Sequence, residues 1–174
     1  MQRPPQTPIP RSGVGCSQPD DRTEVCVPND PRHVSAGSGD VYAFDEHIFR
    51  FLSTAEDTGG SYSAMEITSP QDSGPGPHTH DEAEEFFLLL DGQVVFRVDQ
   101  ETFTVNPGDF VHVPRGVVHQ FKVVTPQSRM VAAYAPGGVE QWFIDAGTPL
   151  STSQVGPHEH LPSEGENIGA ELDS

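Results

Sequence analysis

The chain has 174 residues and a formal charge of −17, from 26 acidic side chains against nine basic ones. That length suits one domain with flanking segments, and nine Lys and Arg do not make a basic face able to track a phosphate backbone, so no nucleic-acid partner is expected. No apolar run, Phe86–Leu90 included, is long enough to span a bilayer. The first residues show no apolar signal region, so the expected location is cytoplasmic, with no membrane partner. Two cysteines, Cys16 and Cys26, cannot make a disulfide framework or a Cys-rich zinc site and read as plain thiols in a tail.

All fourteen aromatic residues lie between Tyr42 and Phe143, while residues 1–40 hold seven Pro and four Gly. Aromatic side chains carry much of a core's buried area. The expected organisation is a flexible or surface-wrapping N-terminal tail over 1–38, a folded domain over 39–149 and a polar C-terminal tail over 150–174. Within the domain, alternation and turn signals recur and helical periodicity does not. In chain order, strands are predicted at Tyr42–Phe44 and Ile48–Leu52, a turn at Thr58-Gly59-Gly60, and a strand at Ser61–Thr68 that turns Ser63, Met65 and Ile67 to one face. A Gly/Pro loop at Ser69–Pro77 precedes a strand at Glu85–Leu90. Asp91-Gly92 is a strong turn signal. A hairpin follows over Gln93–Val98 and Glu101–Val105, then strands at Phe110–Val113, His119–Val124 and Arg129–Ala135. Only Val139–Ala146 reads as helical, apart from the last few residues of the chain. Nine or so short strands with frequent turns predict an all-β sandwich or small barrel.

The potential metal ligands cluster. His78-Thr79-His80 is a His-x-His pair, and on an extended chain both imidazoles project to the same side. Glu84 and Glu85 follow. Five steps from His80 to Glu85 would reverse the face of a regular strand, so Asp81–Glu84 is expected to bend or bulge. His119 opens a later strand. Three neutral imidazoles and one carboxylate make a plausible set of donors for a divalent transition metal. A lone His-x-His pair is more often two surface histidines, and His158 and His160 in the polar tail are read that way. His33 and His47 have no such neighbours and are assigned no role.

The stretch PHTHDEAEEFFLLLDG, Pro77–Gly92, resembles the first cupin motif: His-x-His, four residues, Glu, six residues, Gly. GDFVHVPRGVVH, Gly108–His119, resembles the second: Gly, five residues, Pro-x-Gly, two residues, His. Asp72 stands where the first motif opens with Gly, and Val123 where the second closes with Asn. The resemblance implies a small double-stranded β-helix (cupin jelly-roll barrel) with a short helical segment after the barrel. It selects Glu85 over Glu84 by the six-residue gap to Gly92, and so implies His78, His80, Glu85 and His119 as ligands of one divalent ion per subunit: Fe, Ni, Mn, Co, Cu or Zn. Asp57–Tyr62 before the motifs, and Pro136–Phe143 with Gly147-Thr148-Pro149 after them, are similar to single-domain quercetin 2,3-dioxygenase-like cupins.

Strand parity puts Phe87 and Leu89 on the face of Glu85, where they would form an apolar pocket beside the metal. Phe121 shares parity with His119. Phe121 and His112 are both candidate pocket residues, although ordinary core for the first and a surface or paired strand position for the second are the plainer readings. Phe86, Leu88 and Leu90 are apolar on the opposite face, so that face needs a cover: a second sheet, the N-terminal tail or a second subunit. Cupins are commonly dimeric, which favours a homodimer. The expected activity is a metal-dependent dioxygenase reaction on a phenolic or enolisable small molecule, flavonol-like or polyketide-like. Its oxygen would bind the metal, lose its proton to Glu85 and leave an anion that reacts with dioxygen. The alternative is a non-redox metal cupin of secondary metabolism: a polyketide cyclase, an isomerase or a lyase. A ligand-binding module that keeps a metal for structure is the third reading.

Overall fold

A computed structural model of the protein describes residues 31–151. Cys16, Cys26, His158 and His160 lie outside the described residues. The elements are β1 (Val41–Phe44), β2 (His47–Ser53), α1 (Ala55–Thr58), β3 (Ser63–Pro70), β4 (Glu84–Asp91), β5 (Val94–Val98), β6 (Glu101–Val105), β7 (Phe110–Val113), β8 (His119–Val123), β9 (Gln127–Ala135), α2 (Glu140–Ala146) and β10 (Thr148–Leu150). They form a seven-stranded antiparallel sheet, β10-β1-β2-β3-β9-β4-β7, and a three-stranded sheet, β6-β5-β8. The two sheets enclose the core of the jelly-roll barrel, with the short α2 after it, as expected. No helix among the described residues is long and apolar enough to cross a membrane.

Alternation decides which residues enter the barrel. Along β3 the residues Ser63, Met65, Ile67 and Ser69 are buried and their neighbours are not, the period of two that a sheet with one packed face demands. On β4 the inward set is Glu85, Phe87 and Leu89. Met65, Phe96, Met130 and Val123 fill the centre between the sheets.

The Gly/Pro segment after β3 is more ordered than the loop expected there. It runs against β8 with ladder bonds: Asp72 N–H to Val123 O, Val123 N–H to Ser73 O, and a reciprocal pair between His78 and His119. The smaller sheet thus gains a fourth, irregular member, and this brings His78 beside His119. At Asp72, where the cupin motif has Gly, φ is 65°, and Asp is among the few side chains that enter this region readily. Gly92 closes β4 at φ 82°, where a Cβ would collide with the Gln127 carbonyl.

Two elements were not expected. Helix α1 is a single turn held by a capping box, in which Thr54 accepts from Asp57 N–H and the Asp57 carboxylate accepts from Thr54 N–H. Strand β10 extends the large sheet by pairing Val41 with Leu150. Glu140 ties this end together. Its buried carboxylate accepts from Ala55 N–H at 2.5 Å and Gly138 N–H at 2.7 Å, fastening the start of α2 to α1.

Candidate metal centre

The first two imidazoles come from the extended segment beside β8, the third from the first residue of β8, and the carboxylate from β4 across the barrel. Each of His78, His80, Glu85 and His119 offers one donor atom, and all four atoms lie within 4.8 Å of one another. The bend expected between His80 and Glu85 is present at Asp81 and Glu82, and it turns Glu85 inward beside both histidines.

The donors are prepared for a cation. His78 Nδ1 lies 2.9 Å from the Gly76 carbonyl, and His119 Nδ1 lies 3.0 Å from the Val117 carbonyl. A carbonyl only accepts, so each Nδ1 carries a proton and each Nε2 points into the centre, where it can ligate a cation once it carries no proton of its own. Glu85 Oε2 sits 2.8 Å from His119 Nε2 and 3.2 Å from His80 Nε2. His80 Nε2 is buried and makes no well-directed hydrogen bond. An orphaned buried nitrogen beside a carboxylate and two further imidazoles is the donor chemistry of a divalent transition-metal site, so these residues fit the group that the motifs imply.

Electrostatics agree with the geometry. Burial alone would raise the Glu85 carboxyl, but the His119 hydrogen bond, the nearby His80 nitrogen and the Tyr134 hydroxyl, with the charge of His119, bring it down to about 2. Burial works against a proton on His119, yet the Glu85 hydrogen bond, the Val117 carbonyl and the Glu85 charge hold it above the usual imidazole range. His78 is lowered, chiefly by burial, with His119 and His80 adding to the effect against Gly76 and Glu85. The Glu85 carboxylate thus favours a proton on His119 in the metal-free protein, and a cation bound by these donors would compete with that proton.

The centre forms part of the wall of a cavity of about 590 Å³, a size typical of small-molecule sites. Phe87 and Phe121 line it, as expected. Leu89 does not: it shares the face of Glu85 but lies one rung beyond Phe87, buried in the core. His112 does not either. It pairs across the ladder with Phe86, whose side chain points out of the barrel, so His112 stacks on Phe86 at 4.9 Å and meets Glu84 at 3.1 Å on the outer surface. The inward residues of β7 are Val111 and Val113.

Several cavity residues were not foreseen. Tyr134 on β9 pairs with Glu85 across the ladder and hydrogen-bonds to its carboxylate; burial, then the Glu85 charge, pushes the phenol well above its ordinary range. It is therefore a neutral donor that holds the carboxylate in place. Val139, Trp142 and Phe143 of the α2 region make a second wall, and His47 and Asp45 line the remote end. Pattern alone could have signalled Tyr134, which is the last inward residue of an alternating strand.

Residues 64–134 match the Cupin_2 family, described as a cupin domain. The chain is 29% identical to a quercetin 2,3-dioxygenase of Bacillus subtilis (strain 168) over 119 residues, 68% of this chain and 35% of that protein. It is 28% identical to a quercetin 2,3-dioxygenase of Aspergillus japonicus over 130 residues, 71% of this chain and 37% of that one. The chain thus spans little more than a third of the length of these relatives. Among solved structures, KdgF from Halomonas sp. matches with a TM-score of 0.59 at 13% identity, covering 64% of this chain and 99% of that one. An RmlC-like cupin from Shewanella frigidimarina matches at 0.56 and 16%, covering 64% and 96%. These likenesses establish the fold.

Proposed function

We propose that this cupin domain, similar in sequence to quercetin 2,3-dioxygenases, is a metal-dependent dioxygenase that acts on a phenolic or enolisable small molecule. The observation that carries the reading is the convergence of four donors, of which His78, His80 and Glu85 line a largely apolar cavity and His119 stands buried behind them. A divalent ion held there would act as a Lewis acid toward a substrate oxyanion.

The residues of the chain supply the rest. Phe87 and Phe121 exclude water from the place where a conjugated ring would lie. Glu85 takes the proton of the enol or phenol, and Tyr134 aims the carboxylate by donating to it. The three imidazoles keep their Nε2 atoms directed at the centre through the Gly76 and Val117 carbonyls and through packing. A homodimer is proposed as well. Its support is the outer face of β4 and β7, where Phe110 is 63% exposed and Leu88 40% exposed beside the edge of the large sheet; a second copy of the same face would cover them.

The test is oxygen uptake measured together with substrate loss, using metal-loaded protein and a flavonol such as quercetin. Stoichiometric uptake of dioxygen is expected. Substrate loss without uptake would replace the dioxygenase reading with the cyclase, isomerase or lyase one.

A further inference from the structure

The proposed reaction uses one end of the cavity, and the other end is also built. Ser63, Tyr134 and Glu85 lie on one rung across β3, β9 and β4, which marks the metal end. Six residues further along β3, fully buried Ser69 meets His47 of β2, with Ser69 Oγ 2.8 Å from His47 Nδ1. The bond fixes the imidazole against the wall and leaves Nε2 as its remaining polar atom. Asp45, in the turn between β1 and β2, lines the same end. Between the two ends the wall is apolar, made by Phe49, Ile67, Phe87, Phe121 and Phe143.

We propose that His47, together with Asp45, is the remote anchor of the substrate site and selects a neutral, flat ligand with a hydroxyl far from the oxygen offered to the metal ligands. This rests on the phenolic or enolic reading of the site. A phenolic hydroxyl both donates and accepts, so it can satisfy a carboxylate and an imidazole at once. Burial lowers the proton affinity of His47, against the raising effects of Glu46 and Asp45, so the ring is neutral at physiological pH and offers no charge to an anion. A ligand with an anionic tail would meet the like charge of the Asp45 carboxylate, and a small dicarboxylate would leave the apolar middle unfilled.

The test is anaerobic titration of the metal-loaded protein with quercetin and with 3-hydroxyflavone, which keeps the enol but lacks every remote hydroxyl. Binding is followed by the fluorescence of Trp142, the single tryptophan, which lines the cavity. Wild type is expected to bind quercetin about 3- to 10-fold more tightly, the effect of one or two neutral hydrogen bonds. His47→Leu should abolish this preference and leave the 3-hydroxyflavone Kd within about twofold, while His47→Gln, which can keep a polar atom and the Ser69 bond, should restore part of it. If His47→Leu does not fold, His47→Gln and Asp45→Asn decide, and each is expected to reduce the preference. A wild-type preference retained in the variants, or equal binding of the two flavonols by wild type, overturns the remote anchor and leaves the phenolic reading standing. Failure of wild type to bind either flavonol overturns both.

Discussion

Glu84 and Glu85 are neighbours in the chain, and each touches an imidazole at nearly the same distance: Glu84 meets His112 at 3.1 Å and Glu85 meets His119 at 2.8 Å. Strand parity sends them to opposite faces of β4. The outer pair is 39% and 42% exposed, with Phe86 stacked on His112. The inner pair is 3% and 1% exposed and is joined by His78, His80 and Tyr134. Water screens the first pair, whereas the second is a desolvated charge that must be compensated on every side. A carboxylate beside a histidine therefore says little by itself. Burial and the convergence of further donors separate a metal centre from a surface contact.

The largest expected effect is on turnover. Glu85→Gln should retain much of the metal through three imidazoles yet lose about 10²–10⁴ of the rate, the usual range for a general base. Glu84→Gln should turn over at the wild-type rate. Metal content and flavonol consumption, measured on both variants, check the contrast, and equal rates in metal-replete Glu85→Gln and wild type would remove the base role.

The pH dependence of metal affinity comes next. His119 is held above the usual imidazole range in the metal-free protein, and a metal must displace that proton. Affinity should fall about tenfold per pH unit below the raised His119 value, as one proton is exchanged for each ion. The same linkage gives the sign for stability without metal. The stabilisation from protonated His119 is complete below the unfolded imidazole value and disappears as pH rises through the folded one. Depressed Glu85 contributes above the ordinary carboxylate range and loses its contribution as pH falls toward about 2. Isothermal titration with zinc at several pH values, beside melting curves of metal-free protein, reads both.

Smaller effects belong to the outer face. Phe110→Glu should shift a dimer to monomer, read by light scattering, while leaving metal content unchanged. His112→Ala should cost about 0.5 kcal/mol or less in stability, because its ion pair with Glu84 is exposed. A large loss of metal or activity in His112→Ala would contradict its place outside the barrel.

Local pattern carried much of this. The convergence of four donors from Pro77–Gly92 and Gly108–His119 was readable because the two motifs fix residue type and separation together, and alternation put Phe87 and Phe121 on the cavity wall. Leu89 was misplaced because parity gives the face but not how far the cavity runs along a strand. His112 takes the surface, paired position that was its plainer reading and not the pocket role, as Val111 and Val113, apolar on either side of it, mark the inward face of β7. Helix α1 carried a legible signal in Thr54 and Asp57, three residues apart, that went unused. The α2 wall and the His47–Ser69 contact were not legible, since they depend on packing between segments 22 or more residues apart.

The proposed function requires that His78, His80, Glu85 and His119 hold one divalent ion per subunit. Elemental analysis of purified wild type, His78→Ala/His80→Ala and His112→Ala tests it directly. The expected result is about one equivalent of metal in wild type and in His112→Ala, since three imidazoles and a carboxylate suffice for one ion. The double variant should be folded and largely free of metal. Full occupancy in the folded double variant would contradict the assignment.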